Sequence, residues 1–113
     1  MQDVTFVLIP GAGGSAWYWH LVEPELRQRG WYEAIPVSLP AADDSASLAD
    51  YAAVVIRAVR KQKSRRLVVV AQSLGGFTAP LVCEQIPVSL LVMVNAMIPK
   101  PGETPGEWWR DTG

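Results

Sequence analysis

The stretch LVVVAQSLGG, residues 67–76, joins a run of β-branched residues to a serine and two glycines. An apolar run followed by small residues predicts a buried strand that turns sharply into a helix. A turn of this kind holds its central residue, here Ser73, in a strained backbone conformation with the hydroxyl exposed at the end of a sheet. The pattern is G-x-S-x-G with Ala71 in place of the first glycine. A five-residue pattern is weak support on its own, so the rest of the chain has to agree with it.

The rest of the chain alternates predicted strands and helices. Strands are predicted at residues 4–9, 33–39, 66–70 and 88–94, helices at 16–29, 48–62 and 77–85, and a tail rich in proline and glycine at 99–113. Pro24 would interrupt the first helix, so its main part is expected to begin near Glu23. Ser47 and Asp50 have the spacing of a capping box at the start of the second helix. The order βαβαβαβ predicts an α/β fold, a parallel doubly wound sheet of about four strands with flanking helices.

Composition and charge exclude several classes of protein. The 113 residues carry a formal net charge of −1, and this balance does not favour nucleic acid, whose binding needs a basic face. The basic residues near the end of the second helix are assigned to a solvated helix end: Arg57, Arg60, Lys61, Lys63, Arg65 and Arg66. No apolar stretch approaches the roughly 18 residues of a membrane span, and the first residues do not look like a signal peptide. A single cysteine, Cys83, fits a reducing compartment, so a cytoplasmic protein of one domain is expected.

A glycine-rich loop, Pro10 to Ser15, follows the first predicted strand at the place where a dinucleotide fingerprint would lie. The glycine required three residues after Gly13 is replaced by Ala16, and no acidic residue follows the second strand. The Lys-Ser or Lys-Thr of a phosphate loop is also missing. These differences disfavour a nucleotide site, and no cofactor is expected.

The same loop is suited to presenting a backbone amide to a developing oxyanion. One donor would be the amide of Leu74, directly after the serine, and the other would come from the loop, most simply from Ala12. The two glycine-bearing turns are expected to meet at the carboxyl edge of neighbouring strands, where open α/β sheets bind ligands. Their agreement supports a catalytic serine more strongly than either motif does alone.

Three blocks of the sequence together resemble a known family. They are FVLIPGAGGSAWYW (6–19), VVVAQSLGG (68–76) and VMVNAMIPKPGE (92–103). They are similar to the α/β-hydrolase superfamily, and most of all to the group that contains plant hydroxynitrile lyases, plant methylesterases and bacterial esterase-like relatives. The resemblance implies that Ser73 is the nucleophile and that the amides of Ala12 and Leu74 form the oxyanion hole. The residues predicted to contact substrate are Gly11, Gln72 and Met97.

Two pairs of tryptophans can be compared with the family pattern. Trp17 and Trp19 match the aromatic pair of the family and are expected to pack rather than to touch substrate. Trp108 and Trp109 would fall at the start of the family's cap region, where they would line a pocket mouth or form an exposed patch.

The family places its catalytic acid and histidine after the nucleophile, and here the chain departs from the pattern. The single histidine, His20, precedes Ser73, so a structural or surface role is expected for it. The downstream acidic residues follow no later strand: Glu84, Glu103, Glu107 and Asp111. We therefore expect residues 1–113 to be the amino-terminal part of a single α/β-hydrolase domain, with the cap region starting at residues 97–113.

The predicted function is that of a serine hydrolase of esterase type, which acts through Ser73 on a small carboxylic ester and is inactive in this truncated form. No metal is expected, because the spacing of Asp43, Asp44 and Asp50 matches no metal-binding loop. Two alternatives stay open. One is an enzyme resembling hydroxynitrile lyases, and the other is a non-catalytic half-domain that needs a partner chain, either an oligomer or its own missing carboxy-terminal half.

Overall fold

A parallel sheet of four strands forms the centre of the fold. The structure, a computed structural model, describes residues 4–30, 33–62 and 66–112. The strands are β1 Val4–Ile9, β2 Glu33–Pro36, β3 Arg66–Gln72 and β4 Leu90–Val94, in the spatial order β2-β1-β3-β4. Every neighbouring pair is parallel. The predicted α/β fold class and the number of strands are therefore confirmed.

Helices lie between the strands and after β4. They are a 3-10 helix Ala16–Trp19 and the α-helices α1 Val22–Gly30, α2 Leu48–Val59, α3 Gly75–Gln85 and α4 Pro105–Thr112. Pro24 lies in the first turn of α1, where its missing N–H costs no helical hydrogen bond, so the predicted division of the first helix is confirmed. The capping box of α2 is also confirmed, since Ser47 Oγ accepts from the amide of Asp50 and the carboxylate of Asp50 accepts from the amide of Ser47.

Helix α4 was not predicted, because residues 99–113 were expected to form an irregular tail. Pro105 occupies its first position, where the fixed φ of proline favours a helix start. Thr104 and Glu107 form a second capping box, in which the amide of Thr104 donates to Glu107 Oε1 and the amide of Glu107 donates to Thr104 Oγ1. The sequence Thr-Pro-x-Glu at residues 104–107 is typical of a helix start, although the composition around it is typical of a loop.

Strand β2 ends at Pro36, three residues before the predicted end at Leu39. The amide of Val37 still donates to Leu8 O at 3.0 Å, but the amide of Leu39 turns away and donates to Gly14 O at 2.7 Å. The chain therefore leaves the sheet after Val37, and Leu39 forms a hydrogen bond with the glycine-rich loop.

Both faces of the sheet are covered, as the doubly wound arrangement requires. On one face, Val7 and Val69 pack in a cluster with residues of α2 and α3. On the other face, Leu8 packs with Trp19 and with Leu26 of α1. Alternate residues of β1 and β3 thus face opposite layers, and helices α2 and α3 pack on the same face of the sheet.

The remaining surface features agree in part with expectation. The described members of the basic cluster are exposed: Arg57, Arg60, Lys61 and Arg66. Lys63 and Arg65 lie outside the described residues.

Cys83 is half-buried on α3, and burial raises the pKa of its thiol, as expected for an unreactive cysteine. Within the described ranges, no helix has both the length and the apolar character needed to cross a bilayer.

Candidate active site

Ser73 lies between the end of β3 and the start of α3 with a φ of 49°. This left-handed conformation is costly for a residue with a Cβ. Backbone hydrogen bonds hold it in place, because the amide of Ser73 donates to Val94 O at 3.3 Å and its carbonyl accepts from the amides of Gly76 and Met97 at 3.1 and 2.9 Å. The strained strand-to-helix turn expected from the sequence is confirmed.

The two glycines after Ser73 allow neighbouring backbone to approach the start of α3. A Cβ on Gly75 would lie 3.0 Å from Pro10 O, and a Cβ on Gly76 would overlap Met97 O. Helix α3 therefore begins in contact with the chain that follows β1 on one side and with the chain that follows β4 on the other. This close packing explains why small residues follow the serine.

The glycine-rich loop after β1 lies against the turn that carries Ser73. A Cβ on Gly11 would lie 2.5 Å from Gln72 Oε1 and 3.0 Å from Ser73 Cβ. Gly13 and Gly14 have φ values of 91° and 63°, which L-residues with side chains rarely adopt. The predicted meeting of the two glycine-bearing turns is thus present in the structure, and Ala12 is exposed in the loop between Gly11 and Gly13.

The two backbone amides predicted to form an oxyanion hole are those of Ala12 and Leu74. Among the described residues, neither the amide of Ala12 nor that of Leu74 donates a hydrogen bond. Leu74 is the N-cap residue of α3, and no side chain caps this helix. The amide of Leu74, at the positive end of the α3 dipole, is therefore available to an oxygen that carries negative charge.

A cavity of about 230 Å³ opens next to Leu74. Gly11 and Leu74 line it, whereas Ser73, Ala12, Gln72 and Met97 do not. Gln72 is half-buried at the end of β3, and Met97 is 5% exposed. The structure thus brings all six predicted site residues to one edge of the sheet, with Met97 joined to Ser73 through its backbone.

His20, the single histidine of the chain, contacts Trp17. Its Nδ1 lies 2.8 Å from Trp17 O, and its ring stacks on Trp17 with the ring centroids 3.9 Å apart. Trp19 is 4% exposed and packs as expected, but Trp17 is 71% exposed. The packing role expected for Trp17 is therefore wrong, because side chains at i and i+3 of a 3-10 helix eclipse one another and place Trp17 over His20.

The acidic residues have local partners or face solvent. Glu103 and Glu107 accept from the amides of Lys100 and Thr104, while Glu84 and Asp111 are exposed. Three further acidic residues, whose spacing matches no metal-binding loop, are exposed: Asp43, Asp44 and Asp50. Two hydrogen bonds from Ser45, the larger effect coming from its side chain and the smaller from its backbone amide, hold the pKa of Asp43 below its usual value. Within the described part of the chain, no three acidic, histidine or cysteine side chains group together as a metal site would need.

Trp108 and Trp109 lie on α4 as an edge-to-face pair with their ring centroids 5.9 Å apart. Trp108 Nε1 donates to Ile98 O at 3.3 Å, whereas Trp109 is 56% exposed. Trp108 therefore ties α4 to the chain after β4. Of the two roles considered for this pair, Trp109 fits the exposed patch.

Comparison with known proteins places the chain in a family. The model of the alpha/beta hydrolase family matches residues 6–112. The chain is 33% identical over 111 residues to "Probable esterase PIR7A" of Oryza sativa subsp. indica, with 89% of this chain and 42% of that protein covered. It is 31% identical over 106 residues to methyl jasmonate esterase 1 of Vitis vinifera, with 85% of this chain and 40% of that protein covered.

A solved structure agrees with the fold. An extracellular alpha/beta-hydrolase from a Paenibacillus species superposes with a TM-score of 0.75 at 21% identity, covering 86% of this chain and 42% of that one. The chain thus spans about two fifths of the length of the relatives it matches. The resemblance noted from the three sequence blocks is confirmed, and this chain belongs to the alpha/beta hydrolase family.

Proposed function

We propose that this chain carries the nucleophile and the oxyanion hole of an esterase. The observation that supports this most directly is the left-handed conformation of Ser73, together with the amides of Ala12 and Leu74, which donate to no acceptor among the described residues. A strained serine at the end of a strand, followed directly by the Leu74 amide and approached by the glycine-rich loop at Gly11, is the geometry that acyl transfer requires. The esterases among its relatives favour a carboxylic ester as the substrate.

In the proposed reaction, Ser73 Oγ attacks the carbonyl carbon of the ester, and a base removes the serine proton. The carbonyl oxygen becomes an oxyanion that accepts from the amides of Ala12 and Leu74. Collapse of this tetrahedral intermediate breaks the bond to the alcohol, which leaves with the proton. Water then attacks the acyl-enzyme, which releases the carboxylic acid and restores Ser73.

The base is not supplied by the described arrangement, since His20 is engaged with Trp17 and the acidic residues of the last segment hold backbone amides. We propose that the histidine and the acid come from further chain, either a carboxy-terminal segment or a partner. Loss of the base typically costs several orders of magnitude in rate. The 113-residue chain is therefore expected to react slowly and to turn over hardly at all.

A fluorophosphonate probe tests this proposal, because it needs a reactive serine but no deacylation. We expect slow formation of one adduct at Ser73, located by mass spectrometry of the digested protein. The adduct should disappear in Ser73→Ala and persist in Ser89→Ala, an exposed serine that serves as the matched control. If Ser73 is labelled no faster than Ser89, the chain is a non-catalytic half-domain and the proposal is wrong.

A further inference from the structure

The cavity beside Ser73 lies where three helices begin. Helices α2, α3 and α4 contribute Leu48, Leu74 and Pro105 to its wall, and the residues that line it are Pro10, Gly11, Leu39, Ala46, Ser47, Leu48, Tyr51, Leu74, Thr78 and Pro105. Large apolar groups predominate in this lining. An apolar recess that contains a catalytic amide at its edge is suited to an apolar part of the substrate.

We propose that this cavity receives the acyl chain of the ester and that Leu48 limits the length of that chain. The inference rests on the proposed function, because it takes the carbonyl oxygen to lie at the Leu74 amide. An acyl chain attached to that carbonyl would start at the mouth of the cavity, which Leu74 lines. The alcohol departs before water enters, whereas the acyl group stays bonded to Ser73. A recess in the protein therefore fits the group that stays.

The charges around the cavity favour a neutral chain. The start of α2 is capped by the Asp50 carboxylate and the start of α4 by the Glu107 carboxylate, which offset the positive ends of these two helix dipoles. Helix α3 has no side-chain cap. The carboxyl-derived oxygen thus has a place at Leu74, while the rest of the cavity offers no second positive end for an anion.

The volume of the cavity sets the size of the acyl chain. An apolar cavity of about 150 Å³ holds benzene, which has six carbon atoms. By proportion, the cavity of about 230 Å³ holds roughly six to nine carbon atoms. A hexanoyl chain should fit, and a decanoyl chain should not fit without a change in the wall.

This cavity shares part of its wall with a second one. The second cavity, of about 520 Å³, lies between α3 and residues 99–105, and both Leu48 and Pro105 line the two cavities. Leu48 is half-buried at the first position of α2. Shortening Leu48 should join the two spaces and so lengthen the acyl chain that the cavity accepts.

Product acids test the proposal without requiring catalysis. In the 113-residue chain, titration with hexanoate, monitored by amide NMR signals, should shift the signals of Leu74 and Leu48. The substitution Ala46→Phe should fill the cavity and weaken hexanoate binding at least tenfold. Ala42→Phe, which lies in the same loop but is exposed and outside the lining, should leave binding unchanged.

The substitution Leu48→Ala should strengthen decanoate binding about tenfold, which is the gain expected for burying roughly two more methylene groups. Leu48→Val serves as the milder variant if the spectrum of Leu48→Ala shows loss of folded signals. Unchanged decanoate binding in the folded variant, or hexanoate shifts that survive Ala46→Phe, would overturn the proposal.

These outcomes are distinguishable from a failure of the proposed function. Hexanoate should bind Ser73→Ala as it binds the unchanged chain, because the titration requires no nucleophile. Hexanoate binding without fluorophosphonate labelling of Ser73 would leave a binding pocket in a non-catalytic protein. Labelling without hexanoate binding would keep the esterase proposal and reject this cavity as the acyl site.

Discussion

The backbone of Met97 lies directly against Gly76. A Cβ on Gly76 would overlap the carbonyl oxygen of Met97 and lie 2.9 Å from its carbonyl carbon. The amide of Met97 in turn donates to Ser73 O at 2.9 Å. The chain that follows β4 thus clamps the turn that holds the serine, and the absence of a side chain at Gly76 is what allows this contact.

Gly76→Ala is expected to destabilise the fold, because the new methyl group meets backbone, which cannot rotate away as a side chain can. We expect the free energy of unfolding to fall by about 3 kcal/mol, the upper range for overpacked sites. Urea denaturation followed by tryptophan fluorescence measures this change.

Gly106→Ala is the matched control for this substitution. Gly106 is also helical, but among the described residues no atom beyond its chain neighbours and the adjacent backbone of α4 lies within 4 Å of the position of its added Cβ. This substitution should be neutral or should stabilise by up to about 1 kcal/mol, because alanine favours helices. Equal effects of the two substitutions would show that the backbone at Met97 moves easily to accommodate the added methyl group.

Ser73→Gly is expected to stabilise the fold relative to the unchanged chain. A residue with a Cβ at a φ of 49° carries a conformational cost that glycine avoids, although glycine also gains entropy in the unfolded state. The net gain should be about 0.5–1 kcal/mol in the free energy of unfolding, since the strain itself is on the order of 1–2 kcal/mol.

Asn95 provides the comparison, since it has a φ of 47° and lies just after β4. Asparagine tolerates this region better than serine or alanine, so Asn95→Gly should stabilise less than Ser73→Gly. A loss of stability in Ser73→Gly would mean that the side chain of Ser73 contributes contacts that outweigh its strain.

The sheet and the turn at Ser73 could be predicted from the sequence because their signals are local. The apolar runs of β1 and β3 can be identified as strands from composition alone, and the glycines after Ser73 report a close backbone approach without showing what approaches. Met97 could be placed near the site only through the family resemblance, since the contact with Gly76 joins residues that are distant in the sequence. The family resemblance therefore supplied what periodicity could not.

Other features could not be obtained in this way. Helix α4 was hidden because proline and glycine dominate its surroundings, although Thr104 and Glu107 had the spacing of a cap. The exposure of Trp17 depends on the tight 3-10 geometry, which the sequence does not specify. The cavity wall at Leu48 arises only when α2 and α4 begin side by side, and that is a property of the assembled chain.

Acid is expected to loosen α4 before it unfolds the sheet. Hydrogen bonds from the backbone amide and then the side chain of Thr104, with a smaller effect of Arg110, lower the pKa of Glu107 from its usual 4.5. Because the folded pKa is the lower one, the stabilisation is fully present above the unfolded pKa. It is lost as the pH falls through the folded pKa, below 4.5.

Near-UV circular dichroism should detect this change, since Trp108 and Trp109 form a rigid pair on α4. We expect their signal to weaken as the pH falls below about 4, the range in which carboxylates protonate. Glu107→Gln should weaken the signal at neutral pH and reduce its pH dependence. Glu84→Gln, which changes an exposed carboxylate on α3, should leave the transition unchanged, and an equal effect of both would reject the assignment.

Strand β4 is expected to make the 113-residue chain associate with itself. It lies at the edge of the sheet and, among the described residues, pairs only with β3. Its sequence LLVMV has no charge, and Leu90 and Val94 are 57% and 40% exposed. An apolar edge with unpaired backbone groups is a template for another strand. Sedimentation velocity should therefore show oligomers whose fraction grows with protein concentration.

Lysine at both exposed positions, Leu90→Lys with Val94→Lys, should weaken this association at least tenfold, because charged edge residues oppose strand pairing. Ala49→Lys with Ala53→Lys adds the same charge on the exposed face of α2, and it should leave the association almost unchanged. If both double variants lower the oligomer fraction equally, net charge rather than the edge controls association. If the unchanged chain stays monomeric at high concentration, β4 is protected in a way that its exposure does not reveal, and the expectation is wrong.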